Sequence, residues 1–419
     1  MEKLVIIGGE KLKGEVNVST AKNSVLPIIA ASILSRDKCI IENAPMLEDV
    51  FVIGDVLRSI NANIDVNREN NRIVIDTSNI LQGEPSGELV RKMRASFLIM
   101  GPMISRYGRF KLSLPGGCNI GSRPIDLHLK GFTALGAEVN IGHGYVEAKA
   151  DRLTGNKIYL DFPSVGATEN IMMAAVLAEG ETIIENSAEE PEIEDLAKFL
   201  NSMGAQIIGA GTDTIKIIGV KDLKGTVHKP ICDRIEAGTF MVAAAISRSK
   251  IKINGINEEH LKPVIAKLTE MGVVIEIAGS SMVVDGTKAL KPIDIKTMPY
   301  PGFPTDMQAQ MMSLLCAVPG TSIITETVFE NRFMHASELK RMGANIKIDG
   351  RSAVIEGVDK LTGSEVKATD LRAGAALILS ALIAEGKTEI GDIYHIDRGY
   401  MNIEDKFRAL GVNINRVTV

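Results

Sequence analysis

The stretch LNSMGAQIIG, Leu200–Gly209, closes an amphipathic helical pattern and turns at Gly204 into an alternating apolar segment. A glycine just past the last helical turn suits the left-handed backbone that ends a helix, and alternation with period two suits a strand. The same helix, turn and strand phrase recurs in SINANIDV, LGAEVNI, MGVVIEI, MGANIKI and LGVNINR, with aligned turn residues Asn61, Gly136, Gly204, Gly272, Gly343 and Gly411. Their spacings of 75, 68, 68, 71 and 68 residues make six units that fill the 419-residue chain.

Each unit also carries an earlier helix built from small apolar residues: SVLPIIAASIL, RASFLIMGPMI, ATENIMMAAVLA, EAGTFMVAAAI, MQAQMMSLLCAV and RAGAALILSALIA. Helices apolar nearly all round belong inside a protein. Tails such as IIENAP, IIENSA, IKINGI and IITETV then read as strands. The predicted unit is helix, strand, helix, strand with further short strands, helices inside and sheets around them. Six units make two lobes of three, with a boundary near residue 230 in TVHKPICDR.

Composition narrows the function. A net charge of −5 and 4% aromatics leave no footprint for nucleic acid. No apolar run reaches the roughly 18 residues of a membrane span, so neither nucleic acid nor membrane is an expected partner. The start MEKLVIIGGEK has no secretory pattern, and Cys39, Cys118, Cys232 and Cys316 show no CxxC spacing, which together predict a cytoplasmic protein without disulfides. The six histidines show neither HxxxH nor HxH, so no metal site is expected, and VIIGGEKLKG lacks the GxxxxGK[ST] phosphate loop.

Lys22, Arg94, Gly166, Arg234, Asp306 and Arg372 open the six buried helices, 72, 72, 68, 72 and 66 residues apart. A charged residue at one helix end is an ordinary solvated cap. Six in register, at ends that carry unpaired N–H groups and a partial positive charge, predict an anion-binding crevice. Between Gly87 and Ile125 lie seven basic residues and one acid, Glu88. The loop SLPGGCNIGSRP, Ser113–Pro124, belongs to this segment and is an insertion: Leu114 to Gly136 spans 22 positions, against 20 from Ile184 to Gly204. Beside Arg123, the Cys118 thiol is expected to have a lowered pKa, fitting it as proton donor and nucleophile. The other three cysteines read as inert small hydrophobes. Asp306 in FPTDMQAQ is either a favourable helix-start carboxylate or a general base, and Arg332 and Arg398 are bidentate anion binders if they face the crevice.

AKNSVLP, MRAS, PGGCNIGSRPIDLHL, SVGAT, PTDMQAQ, TETVFENRFMH, ATDLRA and YHIDRGY occur in this order from end to end, and through them the chain resembles the UDP-N-acetylglucosamine 1-carboxyvinyltransferase family of enolpyruvyl transferases. The resemblance implies an inside-out α/β barrel, two lobes of three βαβαββ-like units with buried parallel helices. It implies lobes of residues 22–230 and of 1–21 plus 231–419. The implied reaction transfers the enolpyruvyl group of phosphoenolpyruvate to the 3′-hydroxyl of UDP-N-acetylglucosamine and releases phosphate, with no cofactor and no metal. By the matched motifs, Cys118 resembles the proton donor and Asp306 the acceptor of the hydroxyl proton. Lys22, Asn23, Arg123, Asp370, Arg372 and Arg398 resemble the phosphoenolpyruvate site, with Lys22 and Arg398 also catalytic. Arg94, Arg123, Pro124, Ile125, Asp126, Leu127, Ser164, Val165, Gly166, Asp306 and Val328 resemble the UDP-sugar contacts, and Arg332 a residue that orients them. Phe162 stands where some members carry lysine, a departure that removes a cation there. Gly116, Gly117 and Gly121 as hinges lead to the expectation that the sugar nucleotide orders the Cys118 loop, and an epoxide phosphonate such as fosfomycin, a phosphate-like anion beside an electrophile, is expected to alkylate Cys118. The nearest alternatives are a transferase acting on shikimate 3-phosphate and a non-catalytic UDP-sugar sensor.

Overall fold

The computed structural model describes residues 2–81, 83–116 and 125–418. The six turn residues Asn61, Gly136, Gly204, Gly272, Gly343 and Gly411 all have positive φ, between 71° and 108°. A strand begins two residues after each: Asn63–Asn67, Glu138–Gly142, Gln206–Ile208, Val274–Ala278, Asn345–Asp349 and Asn413–Thr418. Glycine takes this backbone at no steric cost, which is why the phrase repeats so visibly.

Each repeat builds one small sheet, and the third shows the plan. Lys157–Tyr159 runs parallel to Glu181–Glu185, which pairs antiparallel with Thr214–Ile218, itself paired with Gln206–Ile208. In register, Ile184 faces Ile158 and Ile215 across the ladders, and all three are buried while their neighbours are not. One sheet face therefore covers the core and the other meets water. The chain ends complete sheets that start elsewhere: Glu2–Ile7 lies between Lys387–Gly391 and Asn413–Thr418, and Glu15–Asn17 runs parallel to Lys250–Asn254. Val227–His228 does the same for Cys39–Ile41.

The described residues form two compact units, one from Thr20 to Ile231 and one of the residues before Thr20 and after Ile231. In the second, helices Arg234–Ile246, Gln308–Cys316 and Leu371–Ala381 pack together with almost every side chain buried. In the first, Lys22–Ala31 and Val165–Ala175 hold the same place with the segment from Arg94 to Tyr107. Burying each large aliphatic side chain contributes about 1.5–3 kcal/mol, so these helices are the main source of stability.

The helix expected at Arg94 departs from the pattern. It opens as a 3-10 segment, Arg94–Ile99, and becomes α-helical only over Met100–Tyr107. The cause is Asn170, fully buried on the neighbouring helix: Gly101 N–H donates to its Oδ1 at 2.7 Å, and its Nδ2 donates to the Phe97 carbonyl at 3.0 Å. The amide thus stands between a donor and an acceptor that would pair with each other in a regular α-helix, and Pro102 has no N–H to continue the ladder. A Cβ at Gly101 would lie 2.3 Å from the Asn170 carbonyl oxygen, so the close approach requires glycine.

Candidate active site

In the unit Thr20–Ile231, Lys22 is the first residue of its helix, and its Nζ lies 2.5 Å from Asp49 Oδ2 in the first turn of helix Glu48–Arg58. The preceding Ala21 cannot cap, so no side chain closes this helix start. Asn23 beside it is exposed. One turn in, the buried Asp195 accepts from Ser24 Oγ, from His228 Nε2 at 2.9 Å and from Ile231 N–H at 3.1 Å, which ties the helix to the strand leaving the unit.

Arg94 is half-buried, and its charge acts on His128 of helix Asp126–Ala134. Burial first, and Arg94 second, hold the imidazole neutral with a pKa of about 3. Asn170 fixes its tautomer: Nδ2 donates to Phe97 O and, with its other hydrogen, to His128 Nδ1 at 3.1 Å. The ring proton therefore sits on Nε2, beside Gly166, where an added Cβ would be 3.5 Å from that nitrogen. Gly166 lies in the first turn of helix Val165–Ala175, whose cap, Ser164 Oγ, accepts from Ala167 N–H at a long 3.4 Å. Ile125 precedes helix Asp126–Ala134 and accepts from Leu129 N–H, while Asp126 and Leu127 occupy its first turn. Phe162 is exposed, two residues before Ser164. Cys118, Arg123 and Pro124 lie outside the described residues.

Among the described residues of the basic run between Gly87 and Ile125, Lys92, Arg106, Arg109 and Lys111 are matched by acids or carbonyls and form no continuous electropositive patch. Arg106 Nη1 donates to the carbonyls of Ile33 and Ser35 and to Thr77 Oγ1, and burial lowers its pKa. Arg109 pairs with Glu147, Lys111 with Glu84 and Lys92 with Glu88. Counting along the run included Glu88 but not Glu147 and Glu84, which come from a strand and a loop outside it.

In the second unit, Asp306 sits in the 3-10 turn Thr305–Met307 that opens helix Gln308–Cys316. Its Oδ1 accepts from Arg332 Nη2 and its Oδ2 from Arg372 Nη2, both at 2.7 Å. Both guanidinium groups are about 5% exposed and the carboxylate 25%. Burial would raise the Asp306 pKa, but Arg372 and then Arg332 outweigh it and hold the carboxyl well below its usual range. Two cations on one anion leave a net positive group. Arg332 also donates to Thr305 Oγ1 at 3.1 Å, and Thr305 donates to the buried Glu326. Glu326 accepts from Val328 N–H at 2.8 Å, which fixes the loop carrying Val328. Asp370 caps helix Leu371–Ala381 by accepting from the N–H groups of Arg372 and Ala373. Arg398 follows the short helix Tyr394–Asp397, half-buried, and its charge together with burial lowers the pKa of His395.

The structure therefore brings Asp306, Arg332 and Arg372 into direct contact, with Asp370 and Val328 fixed beside them by their backbone bonds. It adds His128, Asn170 and Glu326, which lie inside PGGCNIGSRPIDLHL, ATENIMMAAVLA and TETVFENRFMH but to which the sequence reading gave no role. Polar residues set into a buried, otherwise apolar helix, as Thr168, Glu169 and Asn170 are in ATENIMMAAVLA, were the available signal.

Residues 6–407 match the family model described as EPSP synthase (3-phosphoshikimate 1-carboxyvinyltransferase). The chain is 76% identical to UDP-N-acetylglucosamine 1-carboxyvinyltransferase 2 of Clostridium tetani and 68% identical to UDP-N-acetylglucosamine 1-carboxyvinyltransferase 1 of Clostridium acetobutylicum, each over the full length of both chains. Among solved structures it is similar to the enolpyruvyl transferase NikO from Streptomyces tendae, with a TM-score of 0.91 and 26% identity over 100% of this chain and 99% of that one. An EPSP synthase from Acinetobacter baumannii shares the fold, with a TM-score of 0.74 at 19% identity and full coverage of both chains. With its repeats, its sheets and its full-length kinship, the chain belongs to the enolpyruvyl transferases and, among them, to the UDP-N-acetylglucosamine 1-carboxyvinyltransferase family.

Proposed function

We propose that this protein transfers the enolpyruvyl group of phosphoenolpyruvate to the 3′-hydroxyl of UDP-N-acetylglucosamine, releasing phosphate, as the first committed step of peptidoglycan synthesis in the cytoplasm. The observation that carries this reading is identity along the whole chain with relatives named for that reaction.

The addition needs a proton on the methylene carbon of phosphoenolpyruvate while the sugar oxygen bonds to the adjacent carbon. Elimination then removes a proton from the new methyl group as phosphate leaves. Cys118 is assigned as the donor and Asp306 as the acceptor of the hydroxyl proton. Lys22, Arg123 and Arg398, with Asn23, Asp370 and Arg372, hold phosphate and carboxylate. Arg94, Ile125 to Leu127, Ser164 to Gly166 and Val328 hold the sugar nucleotide. Arg332 orients Asp306.

The grip of Arg332 and Arg372 on Asp306 gives this assignment a physical condition. A carboxylate held by two guanidinium ions is a weak base. When the substrate anion draws one guanidinium toward itself, the carboxylate returns toward its ordinary proton affinity, so binding itself arms the base.

The test is phosphate release from phosphoenolpyruvate with UDP-N-acetylglucosamine or shikimate 3-phosphate as acceptor, by wild type and Cys118→Ala. Turnover with the UDP-sugar alone, lost in the variant, supports the assignment. Turnover with shikimate 3-phosphate overturns it, and binding of the UDP-sugar without phosphate release identifies a sensor.

A further inference from the structure

Among the buried polar side chains on the three buried helices of the second unit, Thr239 and Gln310 form a knot with Tyr400. Thr239 and Gln310 are fully buried and Tyr400 is 2% exposed. Thr239 has one hydroxyl hydrogen, and it donates to the Ile235 carbonyl one turn back, at 2.8 Å. Its oxygen is left as an acceptor for two neighbours, the Tyr400 hydroxyl at 2.9 Å and Gln310 Nε2 at 3.2 Å. The Tyr400 proton is therefore directed at Thr239. The phenol oxygen is left to accept, and Gln310 Nε2 lies 3.3 Å from it. The Arg372 guanidinium sits beside this phenol, its central carbon 5.7 Å from the ring centroid, close enough for its charge to act on the phenol oxygen.

The knot fixes hydrogen directions as well as atoms. With Thr239 unable to donate to Tyr400, the phenol turns an acceptor, not a donor, toward the guanidinium. Arg372 donates to Asp306 from Nη2 and lies beside the phenol, while its buried Nη1 has no geometric hydrogen-bond partner among the described residues. Leaving a charged donor buried and unmatched costs more than leaving a neutral one, and such donors are retained where a ligand completes them.

We propose that Thr239, Gln310 and Tyr400 are positioning residues that hold Arg372 in place as Asp306 loosens, with Nη1 presented to the substrate anion. None of the three touches substrate in this scheme. The proposal rests on the function assigned above and adds a division of labour: Asp306 and the phenol share Arg372 before binding, and the phenol keeps it aligned afterwards.

The test is steady-state kinetics of Tyr400→Phe, Thr239→Val and Thr239→Ser, with the KM for each substrate and kcat measured separately. Tyr400→Phe keeps the ring and its packing and removes only the oxygen. Thr239→Val removes the acceptor that orients the phenol proton, and Thr239→Ser retains it. The expected result is a rise of about tenfold in KM for phosphoenolpyruvate in Tyr400→Phe and Thr239→Val, with KM for the UDP-sugar unchanged. Thr239→Ser should behave as wild type, and the double variant should be no worse than either single. An unchanged KM for phosphoenolpyruvate in either disruptive variant, or a loss spread equally over both substrates, overturns the proposal. A variant that does not fold leaves the other to decide. Wild type that turns over neither acceptor refutes the functional assignment itself. In that case the shift in melting temperature produced by phosphoenolpyruvate with UDP-N-acetylglucosamine still reports on Arg372: a shift undiminished in Tyr400→Phe, or absent in wild type, also overturns the knot.

Discussion

The two units repeat one scaffold and treat their helix starts in opposite ways. In Thr20–Ile231 no acidic side chain closes a buried helix: Ala21 and Met93 provide no cap, and Ser164 makes one long bond. In the other unit Asp233 and Asp370 each accept two backbone N–H groups, and Pro304 provides no cap. The cations differ too. Lys22 pairs with Asp49, whereas Arg332 and Arg372 divide one carboxylate between them. The fold thus supplies six similar N-terminal ends, and the residues at them decide whether an end is left to bind an anion or closed by the protein's own charge.

The strongest way to break this contrast is Asp306→Asn. As a base, Asp306 should contribute about 10²–10⁴-fold to kcat, so the variant should fold and bind both substrates yet lose turnover on that scale. A loss no larger than its change in stability would make Asp306 a structural partner of the two arginines. Its lowered pKa has a definite sign: the stabilisation from its pairs is complete above the ordinary carboxylate range and is lost progressively as pH falls from that range toward the lowered folded value.

Next in size is acid sensitivity, which each unit carries in one histidine held neutral, the half-buried His128 and the buried His335. His128 titrates at about 3 and His335 at about 4 when folded, against an ordinary value near 6.5, so the unfolded chain binds more protons between those limits. Stability should be full above about pH 6.5 and fall on acidification by about 1.4 kcal/mol per pH unit for each histidine within its window. Urea midpoints of wild type, His128→Gln and His335→Gln would show a shallower slope in each variant; equal slopes would mean that neither histidine is buried in the neutral form.

The caps sharpen the comparison at the smallest scale. Asp370→Ala should cost about 1–2 kcal/mol, because two short bonds are lost, and Ser164→Ala only about 0.5 kcal/mol. Thermal unfolding of both would reverse the proposed asymmetry if Ser164→Ala proved the more damaging.

Much of this was written locally. The turn glycines, the small-residue helices and the spacing of their first residues predicted six units, because helix ends and buried helices are set by neighbours in sequence. Asp306 and Arg372 were legible as helix-start residues, but not as partners, since 66 residues separate them. The pairing of the basic run before Ile125 was illegible for the same reason: charge counted along the chain ignores Glu84 and Glu147, which strand pairing and loop return bring alongside.

The sequence by itself determined the repeat, its elements and the residue types at each helix start, all of which depend on short-range backbone conformation and on hydrophobic period. Only the tertiary structure decided that Asn170 would interrupt the second buried helix, that two arginines would share Asp306, and that Thr239 would turn the Tyr400 oxygen toward Arg372. Hydrogen bonds have direction and limited capacity, and which donor meets which acceptor is settled only when distant segments pack.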